Sequence, residues 1–225
     1  MSIAAAAPAT PTDAEPLPTL SLVDVACRRG NRLLFKGVTL EVRAGAATWL
    51  RGRNGRGKTS LLRLAAGLAA PEAGRVLWGG TPVRQAAGFT RTLVFIGHSN
   101  ALKDDLTVIE ALQFLARLHG RAADNVRLGD ALQRLGMDTR SDAFVRTLSQ
   151  GQRRRAALAR LALERDASLW ILDEPYDALD VDGVQAVNEL LHAHLARGGA
   201  VLLTSHQAPG TTAPEMAVFD LDPFA

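Results

Sequence analysis

Apolar and polar positions alternate early in the chain and change to helical spacing further on. LSLVDVACRR at 20–29 and VTLEVRAG at 38–45 have the two-residue period of strands, and GRVLWGG at 74–80 is typical of another. From about Leu106 to Arg165 the spacing is helical, interrupted by glycines and polar turns. The pattern predicts a β-rich beginning and a later helical block.

Short, nearly continuous apolar runs indicate the strands of a buried sheet. They are ATWL at 47–50, TLVFIG at 92–97, SLWILDE at 168–174 and AVLLTSH at 200–206. Helical segments follow two of these runs, SLLRLAAGL at 60–68 and VDGVQAVNELLHAHLARGG at 181–199. Because strands that alternate with helices pair in parallel, these segments predict a parallel sheet covered by helices.

The segment RGRNGRGKTS at 51–60 connects one of these strands to a helix. Gly52, Gly57, Lys58 and Thr59 fit the phosphate-binding pattern G-x-x-x-x-G-K-[ST]. Glycines let backbone N–H groups surround phosphate oxygens, a lysine contacts the β- and γ-phosphates, and a threonine hydroxyl can bind Mg²⁺. The alternative is a plain glycine-rich turn, but the strand and helix on either side favour a nucleotide site. The predicted contacts are Gly52, Arg53, Asn54, Gly55, Arg56, Gly57, Lys58, Thr59 and Ser60.

Two adjacent carboxylates end the strand LWILDEP. At the mouth of a parallel sheet, Asp173 is predicted to hold Mg²⁺ through water. Glu174 is then placed to orient or deprotonate the water that attacks the γ-phosphate. The alternative, two acids that merely begin a turn, is disfavoured by the phosphate loop upstream.

These elements predict an α/β fold with one domain. It has a phosphate-loop NTPase core with a parallel sheet, an N-terminal antiparallel β sub-domain and an inserted α-helical sub-domain at about 100–165. The domain spans 19–225, and the Ala-, Pro- and Thr-rich segment 1–18 is predicted to be a disordered tail.

Composition narrows the classes of function. The chain has 225 residues, 47% of them apolar, and no apolar run as long as the roughly 18 residues of a spanning helix. The formal charge of +3 is spread along the chain and does not indicate nucleic acid. The run RRR at 153–155 is interpreted as a solvated helix face or the flank of a motif. Cys27 is the only cysteine, which excludes an internal disulfide, and is interpreted as a small apolar residue in a strand.

LSQGQ at 148–152 matches the L-S-x-G-Q signature of the ATP-binding cassette family. The phosphate loop, Asp173, Glu174, DALD at 177–180 and the histidine that ends TSH at 204–206 match the family as well. The chain therefore resembles this family from about residue 20 to 210. The resemblance implies that the chain is an ATPase with ATP and Mg²⁺ as cofactors.

The resemblance also implies that each nucleotide site is shared between two copies of the chain. Ser149, Gly151 and Gln152 would contact the γ-phosphate of ATP held by the opposite subunit, which requires a head-to-tail homodimer. His206 corresponds to the family's switch histidine, which touches the γ-phosphate, and Asp180 to an aspartate at the contact between subunits.

Two positions depart from the family pattern. His98 stands where many members have a glutamine after the strand, with Ser99 as the next candidate, and an imidazole there could contact Mg²⁺-bound water. The usual adenine-stacking aromatic is missing, since Phe35 is interpreted as core, and Arg28 or Arg29 could stack instead. His192 and His194 face different sides of a helix, so they are interpreted as surface residues and not as a metal pair.

A closer resemblance, carried by GKTSLLRL, LDEPYDALD and LTSHQ, is to the haem-exporter ATP-binding subunits of cytochrome c maturation systems. It implies integral membrane permease subunits as partners, no nucleic acid, and a peripheral place on the cytoplasmic face of the bacterial inner membrane. The ATPase subunit of another small-substrate exporter remains open as an alternative. So does a soluble cassette ATPase acting on nucleic acid or ribosomes, although no second cassette or basic tail is seen.

Overall fold

The computed structural model of the protein describes residues 16–121, 124–206 and 210–224. Its strands are β1 Leu20–Arg29, β2 Arg32–Val42, β3 Ala47–Arg51, β4 Ala73–Trp78, β5 Thr81–Pro82, β6 Leu93–Ile96, β7 Leu169–Leu172, β8 Ala200–Thr204 and β9 Ala217–Asp220. Its α-helices are α1 Lys58–Ala65, α2 Phe89–Thr92, α3 Val108–Leu118, α4 Asn125–Arg134, α5 Gln150–Leu158 and α6 Val181–Ala196. Short 3₁₀ turns lie at Asp138–Arg140, Val145–Thr147, Ala159–Leu163 and Asp222–Phe224. Most of the predicted tail at 1–18 lies outside the described residues.

The N-terminal strands form an antiparallel sheet with the order β2-β1-β4-β5. Leu20 in the central strand β1 pairs with Val42 on one side and Trp78 on the other. The predicted antiparallel β unit is confirmed. Strand β2 is longer than the predicted VTLEVRAG, because β1 turns at Gly30, where φ is 57°, and Arg32 pairs directly back onto Arg29.

A second sheet is parallel throughout, with the order β6-β7-β8-β3-β9. The carboxyl ends of its strands meet at one edge, where ligands bind in open α/β sheets. The phosphate loop follows β3, and Asp173 and Glu174 follow β7 at that same edge. The parallel core predicted from the apolar runs is confirmed, and β9 is an additional strand.

Both faces of the parallel sheet are buried. Leu169 and Ile171 of β7 pack with α1 and the antiparallel sheet, whereas Trp170 and Leu172 pack with α3, α4, α5 and α6. Successive side chains of a strand point to opposite faces, so a strand buried on both faces has a continuous apolar sequence.

The helical block predicted from Leu106 to Arg165 contains α3, α4 and α5, separated by turns. Thr107 and Ser149 close capping boxes at the starts of α3 and α5, and Asp124 caps α4. The division into a sub-domain at about 100–165 within one domain stays a prediction. Among the described residues no helix has both the length and the apolar character that a membrane span requires.

Candidate functional site

The phosphate loop links β3 to α1 and depends on glycine at Gly57. Its φ is 98°, and a Cβ at this position would lie 3.0 Å from the ring carbons of Phe35. Phe35 is fully buried, as predicted, so its ring packs against the loop and leaves little room for a Cβ at Gly57. The loop's backbone N–H groups and the positive end of α1 therefore lie beside the same space, an arrangement that suits phosphate oxygens.

Lys58 lies at the first position of α1 and is largely buried. Its Nζ donates to the carbonyl oxygen of Gly52 at 2.7 Å and lies 3.5 Å from that of Arg53. The loop's own carbonyl oxygens therefore hold the ammonium group over the loop. Its positive charge lies beside the space that a phosphate would occupy.

Asp173 is buried and fixed by two threonine hydroxyls. Thr59 Oγ1 donates to its Oδ2 at 2.8 Å, and Thr204 Oγ1 donates to its Oδ1 at 2.8 Å. A hydroxyl and a carboxylate side by side are hard oxygen ligands of the kind Mg²⁺ prefers. Within the described residues no group of three or more His, Cys, Asp or Glu side chains could hold a metal. The donor set fits a metal that takes its other ligands from phosphates and water.

Glu174 has a backbone conformation that is unusual for a residue with a side chain. Its φ is 51°, in the left-handed region, and its N–H donates to Thr204 Oγ1 at 2.9 Å. Its carboxylate accepts from the N–H of His206 at 2.8 Å and lies 3.3 Å from His206 Nε2. Glu174 and His206 therefore form a contact between the ends of β7 and β8.

These side chains line a cavity of about 470 Å³, within the range of small-molecule sites. It brings together most of the predicted nucleotide and metal residues from separate parts of the chain. Its lining consists of Arg29, Leu34, Asn54, Gly55, Gly57, Lys58, Thr59, Ser60, His98, Asp173, Glu174, Asp177 and His206.

The two arginines considered for the adenine differ in position. Arg29 lines the cavity, whereas Arg28 is 3.5 Å from Glu72 and donates to the carbonyl oxygen of Asn31. The geometry favours Arg29 as the residue that could stack on a base. His98 is exposed and lines the cavity; its correspondence to the family's glutamine stays a prediction.

The signature residues do not line this cavity. Ser149 is the N-cap of α5, where its Oγ accepts from the N–H of Gln152 at 3.2 Å. The Gln152 side chain accepts in return from the N–H of Ser149 at 3.0 Å. Gly151 lies so close to the chain at Ala178 that a Cβ would be 2.5 Å from the Ala178 carbonyl oxygen. One copy of the chain thus presents a preformed helix N-terminus that is separate from its own phosphate loop.

Gly52, Arg53 and Arg56 also lie outside the cavity lining and contact the C-terminal segment. The N–H of Arg53 donates to Asp222 Oδ1 at 3.0 Å. The Nε atoms of Arg53 and Arg56 lie 3.3 Å and 3.4 Å from the same carboxylate. Sequence reasoning missed Asp222, because no local pattern connects it to a loop so far away in the chain.

One interpretation based on the sequence is wrong, and another holds only in part. Arg154 is only 4% exposed, so the run at 153–155 is not a solvated face throughout. His194 is fully buried and stacks on Trp170, with a centroid distance of 3.7 Å and an interplanar angle of 7°. The signal was present, since Val187, Leu190, Leu191 and His194 recur at the helical spacing of a buried face. His192 is exposed, as predicted.

Comparison with known proteins identifies the family. The family model described as ABC transporter matches residues 35–177, more than half of the chain. The chain belongs to the ABC transporter family. This confirms the resemblance predicted from the signature and phosphate-loop motifs, and family membership implies ATP binding.

Relatives within this family match almost the whole chain. A protein of Aromatoleum aromaticum is 47% identical over 210 residues, covering 92% of this chain and 97% of that protein. A protein of Salmonella typhi is 46% identical over 185 residues, covering 82% of this chain and 87% of its own length. Both are named "Cytochrome c biogenesis ATP-binding export protein CcmA".

Solved structures agree with the fold. "Structure of ATP binding subunit of ABC transporter" has a TM-score of 0.73 at 26% identity and covers 83% of this chain and 79% of its own. A putative ABC transporter ATP-binding protein from Pyrococcus furiosus has a TM-score of 0.78 and covers 92% of this chain and 99% of its own. At 22% identity the second similarity supports the fold alone. The predicted α/β cassette fold is therefore confirmed.

Proposed function

We propose that the protein is the ATP-hydrolysing subunit of a haem export complex that serves c-type cytochrome biogenesis. The observation that carries this proposal is the nearly full-length similarity to relatives named for cytochrome c biogenesis and export. The geometry supports the ATPase part, because the phosphate loop, Asp173 and Glu174 surround one cavity.

In the proposed reaction each side chain has a distinct role. Lys58 and the N–H groups of the phosphate loop bind the β- and γ-phosphates. Glu174 accepts a proton from water as the water oxygen bonds to the γ-phosphorus and the bond to the bridging oxygen of ADP breaks. The backbone N–H of His206 holds the Glu174 carboxylate, and its side chain, which lines the cavity, would contact the γ-phosphate.

Thr59 and Asp173 are the residues that would hold Mg²⁺. Their side chains present adjacent oxygen atoms, and Thr204 fixes the other oxygen of Asp173. When bound with ATP, the metal neutralises charge on the β- and γ-phosphates. His98 lines the cavity and would contact the nucleotide near its β- and γ-phosphates.

A head-to-tail homodimer would complete the site. Ser149, Gly151 and Gln152 lie at the start of α5, away from the chain's own cavity lining. A helix N-terminus with a serine cap favours an anion, so a second copy could supply it to the γ-phosphate. Asp180 caps α6 through the N–H of Gly183 and pairs with Arg155, which holds the segment at 177–180 in position for the same contact.

An apolar groove supports an integral membrane permease subunit as the partner. The groove is lined by Leu68, Leu93, Phe95, Leu115 and Leu118, together with Arg91 and Arg121. Leu68 and Leu118 are 55% and 67% exposed. A cytoplasmic helix of the permease, with an apolar face and acidic ends, would match this lining and hold the protein peripherally at the cytoplasmic face of the inner membrane.

The cargo can be tested in a strain whose only copy carries Glu174→Gln. We expect this strain to lack holo-cytochromes c and still make b-type haem proteins, because the variant keeps the fold and the ATP site and loses turnover. Haem staining of membrane and periplasmic proteins, with an absorbance spectrum for b-type haem, is the measurement. Normal c-type staining in a strain whose ATPase is inactive would contradict haem as the cargo and would indicate an exporter of another substrate. Loss of both haem types would indicate a general haem defect.

A further inference from the structure

Arg154 is a buried guanidinium between the end of β7 and the segment that carries His98. Its Nη2 donates to the carbonyl oxygens of Asp173 at 2.6 Å and Glu174 at 2.8 Å. Its Nη1 donates to the carbonyl oxygen of Gly97 and to Asn100 Oδ1, both at 3.0 Å. The side chain therefore joins the backbone of Asp173 and Glu174 to the Gly97 carbonyl and the Asn100 side chain, which lie on either side of His98 and Ser99.

The contact with Glu174 is made where the backbone needs support. A non-glycine residue in the left-handed region is strained and persists only where its neighbours fix it. The N–H of Glu174 is fixed by Thr204, and its carbonyl oxygen is fixed by Arg154. The carbonyl oxygen also accepts from the N–H of Asp177 at 3.1 Å. Together these bonds fix the backbone of Glu174 and so the direction in which its carboxylate leaves it.

We propose that Arg154 is a positioning residue for hydrolysis, which holds Glu174 in its left-handed conformation and links that conformation to the loop at 97–100. This proposal rests on the proposed role of Glu174 as the acceptor of the water proton. A shift of His98 or its neighbours, caused by nucleotide or by a partner subunit, reaches Glu174 through one rigid planar group. Arg154 itself does not line the cavity.

The chemistry of the site favours arginine over lysine. The four acceptors lie in two pairs, one at each Nη of the planar guanidinium, and an ammonium group cannot span both pairs. Burial lowers the pKa of Arg154, whereas the carboxylates of Asp173, Asp177 and Glu174 act in the opposite direction and favour its charge. These carboxylates thus offset part of the cost of burying the guanidinium charge.

The test compares Arg154→Met and Arg154→Lys with Arg153→Met as the matched control. Arg153 is the neighbouring arginine and pairs at the surface with Asp104. We expect Arg154→Met to lower kcat roughly 10- to 100-fold, because small displacements of a reacting group have effects of this size. The Kd for ATP, measured by calorimetry without turnover, should stay within about threefold. Arg154→Lys should restore part of kcat, and Arg153→Met should change neither quantity.

A purely structural role for Arg154 would give a different result. It would lower the melting temperature of Arg154→Met and leave kcat per folded molecule near wild type, and this outcome would overturn the proposal. Equal losses of kcat and ATP affinity would overturn it as well, since they would indicate a distorted phosphate site. If Arg154→Met does not fold, Arg154→Lys and Asn100→Ala decide. Asn100→Ala removes one acceptor on the loop side and should lower kcat several-fold at unchanged ATP affinity.

Failure of this proposal is distinguishable from failure of the proposed function. Glu174→Gln, assayed in parallel, should abolish turnover whatever Arg154 does. If Glu174→Gln is inactive and both Arg154 variants turn over ATP like wild type, only the positioning role is lost. If Glu174→Gln keeps wild-type turnover, the assignment of Glu174 itself is wrong.

Discussion

At the scale of single residues, buried polar side chains fix the site from behind. Thr204 donates to Asp173 and accepts from the N–H of Glu174, so one hydroxyl fixes the carboxylate of Asp173 and the backbone of Glu174. His194 has a similar role beneath β7, since its Nε2 lies 2.8 Å from the carbonyl oxygen of Ser168 and its Nδ1 3.1 Å from Arg197. The local sequence could not reveal the contacts of Thr204 or the contact between His194 and Ser168, because those partners are far apart in the chain.

His194 should make the protein less stable in mild acid. Burial, followed by the charge of Arg197, lowers its pKa from 6.5 to about 4, so the folded protein holds the neutral imidazole. The unfolded chain binds the proton first as pH falls. Above pH 6.5 the neutral imidazole of His194 therefore contributes about 3 kcal/mol to the free energy of unfolding, and this contribution is lost as the pH falls towards 4.

The measurement is the free energy of unfolding in urea at pH 7.5 and pH 5 for wild type and His194→Gln. A glutamine can still donate to Ser168 and does not titrate, so the wild type should lose about 2 kcal/mol more than the variant between these two pH values. The variant carries the same carboxylates and the same remaining histidines, which cancel in the comparison. Identical pH dependence in both proteins would contradict the assignment.

At the scale of elements, the sequence predicts the strands and helices whose burial leaves a clear pattern of apolar residues. Strands β3, β7 and β8 read as continuous apolar runs because both faces of the parallel sheet are covered, and α3 begins at a capping box that is visible as Thr107 and Glu110. Strand β9 could not be predicted in this way. Its four residues, AVFD, are mostly exposed and pair only at the edge next to β3.

This edge strand has a consequence for the phosphate loop. It delivers Asp222 to Arg53 and Arg56, so we expect Asp222→Ala to weaken ATP binding about fivefold. This is the size of effect that one lost hydrogen bond gives. Asp222→Asn should bind nearly as wild type, since its amide oxygen can still accept from the N–H of Arg53, and exposed ion pairs contribute little.

Equilibrium binding of ATP, titrated by calorimetry, is the measurement for both Asp222 variants. Glu41→Ala serves as the control, because it removes an exposed ion pair with Arg43 that lies outside the cavity lining. Wild-type affinity in Asp222→Ala would show that the loop keeps its shape without the C-terminal segment.

At the scale of the whole molecule, one chain carries two halves of different sites. The phosphate loop, Asp173 and Glu174 line one cavity, while Ser149 and Gly151 form a separate helix N-terminus on α5. The sequence predicted the members of each half through the family resemblance. The resemblance also implied that the two halves are separate within one chain, but the residues alone could not show it, because the separation depends on how the helical block packs on the sheet.

The separation predicts that dimerisation depends on ATP and is reversed by hydrolysis. Glu174→Gln should therefore accumulate as a homodimer when ATP and Mg²⁺ are present, because the amide keeps the shape of the side chain but cannot accept the proton from water. Size-exclusion chromatography with light scattering measures the mass, and Lys58→Ala in the same background is the control. That double variant lacks the ammonium group over the phosphate loop, so it should stay monomeric under identical conditions.

A Glu174→Gln protein that binds ATP at high concentration and remains monomeric would contradict the head-to-tail arrangement. The two halves would then have to meet by movement of the helical block within one chain.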